Sequence, residues 1–220
     1  MEFKVENGDG IDSWKEVTLV YSAALRQMET KMQILNDEFQ HVHQYNPIEH
    51  IKARIKTPES IVKKLKRYGY DSSIDNMVNY INDIAGIRIV CSFTSDIYRI
   101  AEMIRLQNDI HVIAVKDYIR LPKASGYKSY HMLVTVPVFL SDRTVDVKVE
   151  IQIRTVAMDF WASLEHKIHY KFEGDAPENI KNELVECARM VSDLDARMLS
   201  LNEEILAISK KQEEEKRQNA

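Results

Sequence analysis

The residues best suited to chemistry in this 220-residue sequence are two carboxylates at strand-like runs. Asp83 immediately precedes IAGIRIVCSF (84–93), and Glu150 sits mid-way along RTVDVKVEIQIRT (143–155), flanked by Lys148, Gln152 and Arg154. Carboxylates on neighbouring strands can share a Mg²⁺ ion, which takes one or two protein carboxylates and completes its shell with substrate phosphates. Cations to hold such phosphates are concentrated in KARIKTPESIVKKLKR (52–67), where seven Lys and Arg stand against the single acid Glu59. A basic cluster in a chain of net charge −4 suits a small polyanion such as a nucleotide. The competing reading is an exposed polar sheet face beside a solvated basic helix.

A second group lies in KDYIRLPKASGYKSYH (116–131), with four cationic side chains, Gly126-Tyr127 and His131. A Gly-Tyr pair can present a ring at a loop tip, and stacking on a base contributes roughly 1–3 kcal/mol. The alternative is a hairpin loop whose Tyr packs back on the sheet. Within WASLEHKIHYK, Glu165 and His166 fit either the polar side of the sheet or an outer helix face, whereas Phe160 and Trp161 read as core.

The periodicity sets out the elements that must position these groups. Over 12–40, apolar residues from Trp14 to Phe39 recur every three or four positions, which predicts a long N-terminal helix (12–44). Asn46-Pro47 interrupts it, because the residue before proline avoids helical angles. Thr57 as N-cap and Pro58 at the first helical position start a second helix that stops near Gly69, and a short helix follows over 73–80. Strands are expected at 84–93, 109–119, YHMLVTVPVF and 143–155, with a helix inserted over 94–107. In the last strand Val145, Val147, Val149, Ile151 and Ile153 alternate without a miss against polar residues, so one face is core.

A further helix runs from Val156 to about Lys171, ended by Gly174 and Pro177, and a last one spans 178–210. In that last helix Leu184, Cys187, Val191, Leu194, Met198, Leu201, Ile205 and Ile208 form a heptad seam, either an internal core stripe or a contact between copies. The charged end, 211–220, is expected to fray. Helices, then a mixed sheet of about four to five strands, then helices indicate an α+β fold in one domain (1–220), with a core at 45–172.

Composition narrows the class. Hydrophobic residues make up 45% and charged residues 29%, the balance of a globular chain, with too few Gly and Pro for collagen-like or low-complexity classes. The net charge gives no reason to expect DNA binding, and no apolar run is long enough to span a membrane. The polar opening MEFKVENGDGIDSW and only two cysteines point to a reducing cytoplasm. No GxxxxGKS, GxGxxG, HExxH or GxSxG run occurs, and no His-Asp pair that would suggest a metal hydrolase of that type.

The runs ARIKTPESIVKKL, NDIAGIRIVCSF, KDYIRLPKASGYKSYH and VEIQIRTVAMDFWASLEHKIHYK, in this order, resemble the synthetase domain of RelA/SpoT-type alarmone enzymes. The length is similar to that of the stand-alone small alarmone synthetases, and PIEHIKARIK and MDFWASLEHKI look most like the RelP-type branch. The resemblance implies a nucleotidyltransferase-like fold and transfer of the β,γ-pyrophosphoryl group of ATP to the 3′-hydroxyl of GDP or GTP.

By match to the family's motifs, Asp83 and Glu150 would hold Mg²⁺, with Glu150 also the general base. Arg54 and Arg88 would sandwich adenine, and Lys56, Ser60, Lys64 and Arg67 would contact the ATP phosphates. Tyr127 would stack on guanine, Lys123 and His131 would sit near the acceptor phosphates, and Gln152 and Glu165 would also belong to the acceptor site. Asp159 stands where the other small branch carries an Asn for guanine; its carboxylate can accept from N1 and N2 but offers no donor to O6. The family implies a homotetramer. The rival function is a single-stranded RNA-binding module built on the basic helix and Tyr127.

Overall fold

The computed structural model describes residues 13–171 and 177–218, so the stop expected at Gly174 lies outside the described residues. The chain order is α1 (Trp14–His41), β1 (Ile48–Ile55), α2 (Pro58–Tyr68), α3 (Ile74–Tyr80), β2 (Ala85–Cys91), α4 (Thr94–Arg105), β3 (His111–Asp117), β4 (Tyr130–Phe139), β5 (Thr144–Thr155), α5 (Val156–Lys171) and α6 (Glu178–Gln218). This is the α+β arrangement expected, with a five-stranded mixed sheet ordered β1-β2-β5-β4-β3. Only β2 and β5 run parallel; the remaining neighbours are antiparallel.

Strand β1 is the element that the periodicity reading leaves unassigned. Its outer residues Lys52 and Arg54 belong to a basic run that continues into α2, which draws the eye to a helix. The alternation of Ile51, Ala53 and Ile55 against Lys52 and Arg54 is nevertheless a strand pattern. The basic run is thus divided: Lys52 and Arg54 lie on the sheet, while Lys63, Lys64, Lys66 and Arg67 lie on α2.

The caps hold where side-chain chemistry requires them. Ser13 accepts from the Glu16 amide at 3.2 Å and Thr57 from the Ser60 amide at 3.4 Å, with Pro58 opening α2. Gly69 ends α2 at φ +82°, a left-handed conformation that glycine adopts without a Cβ penalty.

One face of the sheet carries the core. Ile87, Ile89, Met132, Val134, Val149 and Ile151 are buried there in one cluster with Val17, Tyr21, Met28 and Met32 of α1 and Ile97, Ile100 and Ile104 of α4. Burying such side chains contributes roughly 1.5–3 kcal/mol each. The opposite face is polar; α1 and α4 lie on the first, and α5 covers the second only at its Arg88–Arg154 end, where it brings Asp159 onto both arginines.

A smaller cluster joins α5 to the first third of α6. Trp161, Ala162 and Ala188 are buried, Leu184, Val191 and Tyr127 pack around them, and the Trp161 indole donates to the Leu184 carbonyl at 3.0 Å. Phe160, expected in the core beside Trp161, is 60% exposed, since only one of two successive helix positions can face α6. Cys91 is buried, whereas Cys187, expected on the seam, is exposed; Ala188 takes the inward position in its place. Helix α6 continues to Gln218, through most of the charged end expected to fray. Among the described residues, no helix is long and apolar enough to cross a membrane.

Candidate active site

Strand register gathers the polar face into rows. Arg54, Gly86, Glu150 and Leu133 are successive partners across β1, β2, β5 and β4. The neighbouring row is Lys52, Arg88, Gln152, His131 and Lys116, which crosses all five strands. Partners in one row project to the same face, so residues as far apart in sequence as Arg88 and Gln152 become neighbours.

Two cavities open on this face. One, of about 360 Å³, is lined by Arg54, Asp83, Gly86, Arg88, Glu150 and Gln152, among others. The other, of about 350 Å³, is lined by Lys116, Tyr118, Lys123, His131, Leu133 and Glu150, among others. Glu150, on the central strand, lines both. Gly86 stands between Arg54 and Glu150 without a side chain, which keeps the first cavity open.

Asp83 lies just before β2, where its carboxylate meets Lys56 Nζ at 2.9 Å through Oδ2 and Lys64 Nζ at 2.9 Å through Oδ1. Burial pushes its pKa up, but the two ammonium groups outweigh this and hold it below the ordinary aspartate value. Glu150 behaves alike. Burial raises its pKa, His131 and the Gln152 amide lower it more strongly, and the net position is below the ordinary glutamate value. Gln152 Nε2 donates to Glu150 Oε2 at 2.8 Å, and His131 Nδ1 stands 3.6 Å from Oε1. The charge of Asp83 acts on Glu150 in the opposite sense, which places the two carboxylates within each other's field.

Arg154 is the functional candidate that sequence reasoning passed over. It is 4% exposed, and its guanidinium donates to Tyr127 Oη at 2.6 Å, Gln152 Oε1 at 2.9 Å, Asp159 Oδ1 at 3.1 Å and Ser129 Oγ at 3.3 Å. The Tyr127 hydroxyl in turn lies 2.8 Å from His131 Nε2. Glu150, Gln152, Arg154, Tyr127 and His131 therefore form a closed polar ring. The available signal was the strand alternation itself, which puts Arg154 on the same face as Glu150 and Gln152.

Tyr127 is half-buried against the Trp161 cluster and lines neither cavity, but its ring lies edge-on to Tyr118 and His131, which line the second. Lys123 Nζ lies 4.6 Å from the Tyr127 ring centre and 4.8 Å from that of Tyr118. Gly126, at φ +84°, lets this loop approach α6: a Cβ there would come within 2.5 Å of Ala188 Cβ. Ser60 and Arg67 are exposed on α2, beside the Asp83-bound Lys64. Glu165 is half-buried farther along α5 and lines neither cavity. Asp159 is buried; its Oδ1 accepts from Arg154 Nη1 and is ion-paired with Arg88 Nη1, each at 3.1 Å.

Comparison with known proteins decides the family. The profile described as the region found in RelA / SpoT proteins matches residues 53–175. The chain belongs to the RelA/SpoT family. It is 47% identical to the GTP pyrophosphokinase YwaC of Bacillus subtilis, over 89% of this chain and 93% of that protein. Among solved structures it is similar to small alarmone synthetase 2 of B. subtilis, at a TM-score of 0.79 over 87% of this chain and 98% of the other. It is also similar to small alarmone synthetase 1 of B. subtilis bound to its product pppGpp, at 34% identity and a TM-score of 0.82 over 87% of this chain and 97% of the other. In this RelA/SpoT member the matched region spans both cavities, the Asp83 lysine clamp and the Arg154 ring.

Proposed function

We propose that this chain is a pyrophosphokinase that moves the β,γ-pyrophosphoryl group of ATP onto the ribose 3′-hydroxyl of GDP or GTP, giving AMP and ppGpp or pppGpp. The observation that carries the proposal is Glu150, a single carboxylate lining two cavities of nucleotide-compatible size. A transfer between two nucleotides needs this layout, because the base must reach the acceptor hydroxyl while facing the donor phosphorus. The family relationship supplies the substrate class.

In this reading ATP occupies the cavity lined by Arg54 and Arg88, whose guanidinium planes flank the adenine. Lys56, Lys64, Ser60 and Arg67 face its phosphates. The acceptor occupies the cavity lined by Lys123 and His131, with guanine displacing Lys123 Nζ from the Tyr127 ring, while Gln152 acts from the neighbouring cavity through its hydrogen bond to Glu150. The 3′-oxygen attacks the β-phosphorus, the bond from that phosphorus to the α-phosphate oxygen breaks, and the hydroxyl proton passes to Glu150. Ionised at neutral pH and held by Gln152 and His131, Glu150 is ready to take it.

Asp83 and Glu150 fit Mg²⁺: both line the ATP cavity, both are held ionised, and the mutual repulsion of their charges is what a cation relieves. When bound, the ion supplies charge neutralisation to the triphosphate. Single-stranded RNA binding, the rival function, has no use for two carboxylates that repel phosphate. We place the enzyme in a reducing compartment such as the cytoplasm, which suits its two free cysteines.

Incubation with ATP, Mg²⁺ and GDP or GTP, resolved by anion exchange, tests the proposal. Expected are equal amounts of AMP and a 3′-pyrophosphorylated guanosine nucleotide, with Glu150→Gln reducing the rate by about 10²–10⁴ while keeping the fold. Full activity in that variant rejects the role of Glu150, and absence of product from folded wild type rejects the reaction.

A further inference from the structure

Arg88 and Arg154 reach the same oxygen. Each guanidinium lies 3.1 Å from Asp159 Oδ1, Arg88 from the ATP-cavity side and Arg154 from within the polar ring. The geometry points to Asp159 as a positioning residue that couples the two nucleotide sites, so that occupancy of one alters affinity for the other. This rests on the two-nucleotide reading above.

The physical case is one of shared countercharge. The two guanidiniums repel each other: the charge of Arg154, after burial, acts against protonation of Arg88, and Asp159 acts in its favour. Arg88 Nε is buried without a hydrogen-bond partner, so its contact with Asp159 does much to fix the orientation of this side chain. Arg154 holds Tyr127 and Gln152, which are the links to His131 and Glu150. A base stacked on Arg88 therefore fixes the carboxylate that orients Arg154, and through Arg154 the Tyr127 side chain that touches Lys123 and His131 of the acceptor cavity. With Oδ1 already in contact with two guanidiniums and the residue 9% exposed, Asp159 serves the acceptor site through Arg154 rather than by touching guanine.

The test is titration of the whole protein with α,β-methylene-ATP alone and with saturating GDP, then with GDP alone, for wild type, Asp159→Asn and Asp159→Glu. Wild type is expected to bind the ATP analogue with an affinity changed about 5-fold or more by GDP. Asp159→Asn, which keeps an acceptor oxygen but removes the negative charge shared by two guanidiniums, is expected to bring that factor to near one and to weaken both nucleotides; Asp159→Glu restores part of the factor. Weakened GDP binding with the factor intact overturns the proposal in favour of a guanine contact. Wild-type sites that bind both nucleotides independently overturn it without any variant, even if Asp159→Asn fails to fold. A wild type that makes product with uncoupled sites rejects only this inference, whereas coupled binding without product rejects only the assigned reaction.

Discussion

Glu150 and Gly86 are register partners on the parallel pair β2–β5, so the carboxylate faces its cavity beside a position that has no side chain. The next residue along the row, across β1, is Arg54. Arg54 and Glu150 lie on β1 and β5, two strands apart in the sheet. Here a strand without a side chain at that level separates them, and the space left is where a substrate would lie.

Gly86 substitutions should divide binding from folding. A Cβ at Gly86 would meet only the Arg54 carbonyl oxygen, at 3.9 Å, so Gly86→Ala should fold with a melting temperature near that of wild type. Gly86→Leu should fill the cavity and reduce affinity for an ATP analogue at least tenfold, read by calorimetry, with circular dichroism unchanged. Unaltered affinity in the leucine variant would remove the donor nucleotide from this cavity.

Gly126 is constrained by both conformation and contact. Its φ of +84° disfavours any side chain, and a methyl group would collide with Ala188 of α6. Gly126→Ala should cost about 1–2 kcal/mol in backbone conformation alone, about 2–8 °C in a thermal melt for a chain of this size. It should also raise the KM for GDP more than that for ATP, because the displaced loop carries Lys123 and Tyr127. Equal effects on both substrates would disconnect this loop from the acceptor site.

The depressed pKa of Asp83 has a signed consequence. A carboxylate whose folded pKa lies below its unfolded value stabilises the fold above the unfolded value and loses that contribution as pH falls through the folded one. The stability difference between wild type and Asp83→Asn should therefore be constant from pH 8 to about 5. It should shrink once the pH drops below the ordinary aspartate value of 3.8. Thermal melts across that range measure it, and a difference that disappears already near pH 6 would mean that the lysine contacts do not stabilise the ionised form.

The seam of α6 divides along its length. Leu184, Ala188 and Val191 pack inward, while Leu194, Met198, Leu201, Ile205 and Ile208 are each at least half exposed. An apolar stripe of that length suits a second copy of the chain. Replacing Leu194 and Leu201 with Glu should reduce the mass seen by light scattering without lowering the melting temperature of the monomer. An unchanged mass would reject α6 as the contact.

Alternation and capping alone carried much of the architecture: β5 with its unbroken valine and isoleucine face, α2 between Thr57-Pro58 and Gly69, and the helix inserted after β2. These are local properties, expressed in the period of apolar residues and in the few side chains able to cap a helix. The same alternation placed Asp83, Arg88, Glu150 and Gln152 at or on the polar side of strands, and family motifs gave them expected roles. Tertiary structure decided what period cannot encode. It set β1 at the sheet edge, brought Arg54 and Glu150 to opposite sides of Gly86, and turned Tyr127 back under Lys123. It also made Arg154 a buried hub and gave Asp159 two arginine partners. A sequence period specifies which face a side chain occupies, but neighbours across a face follow from strand order and register, which arise only when distant segments bury their apolar sides together.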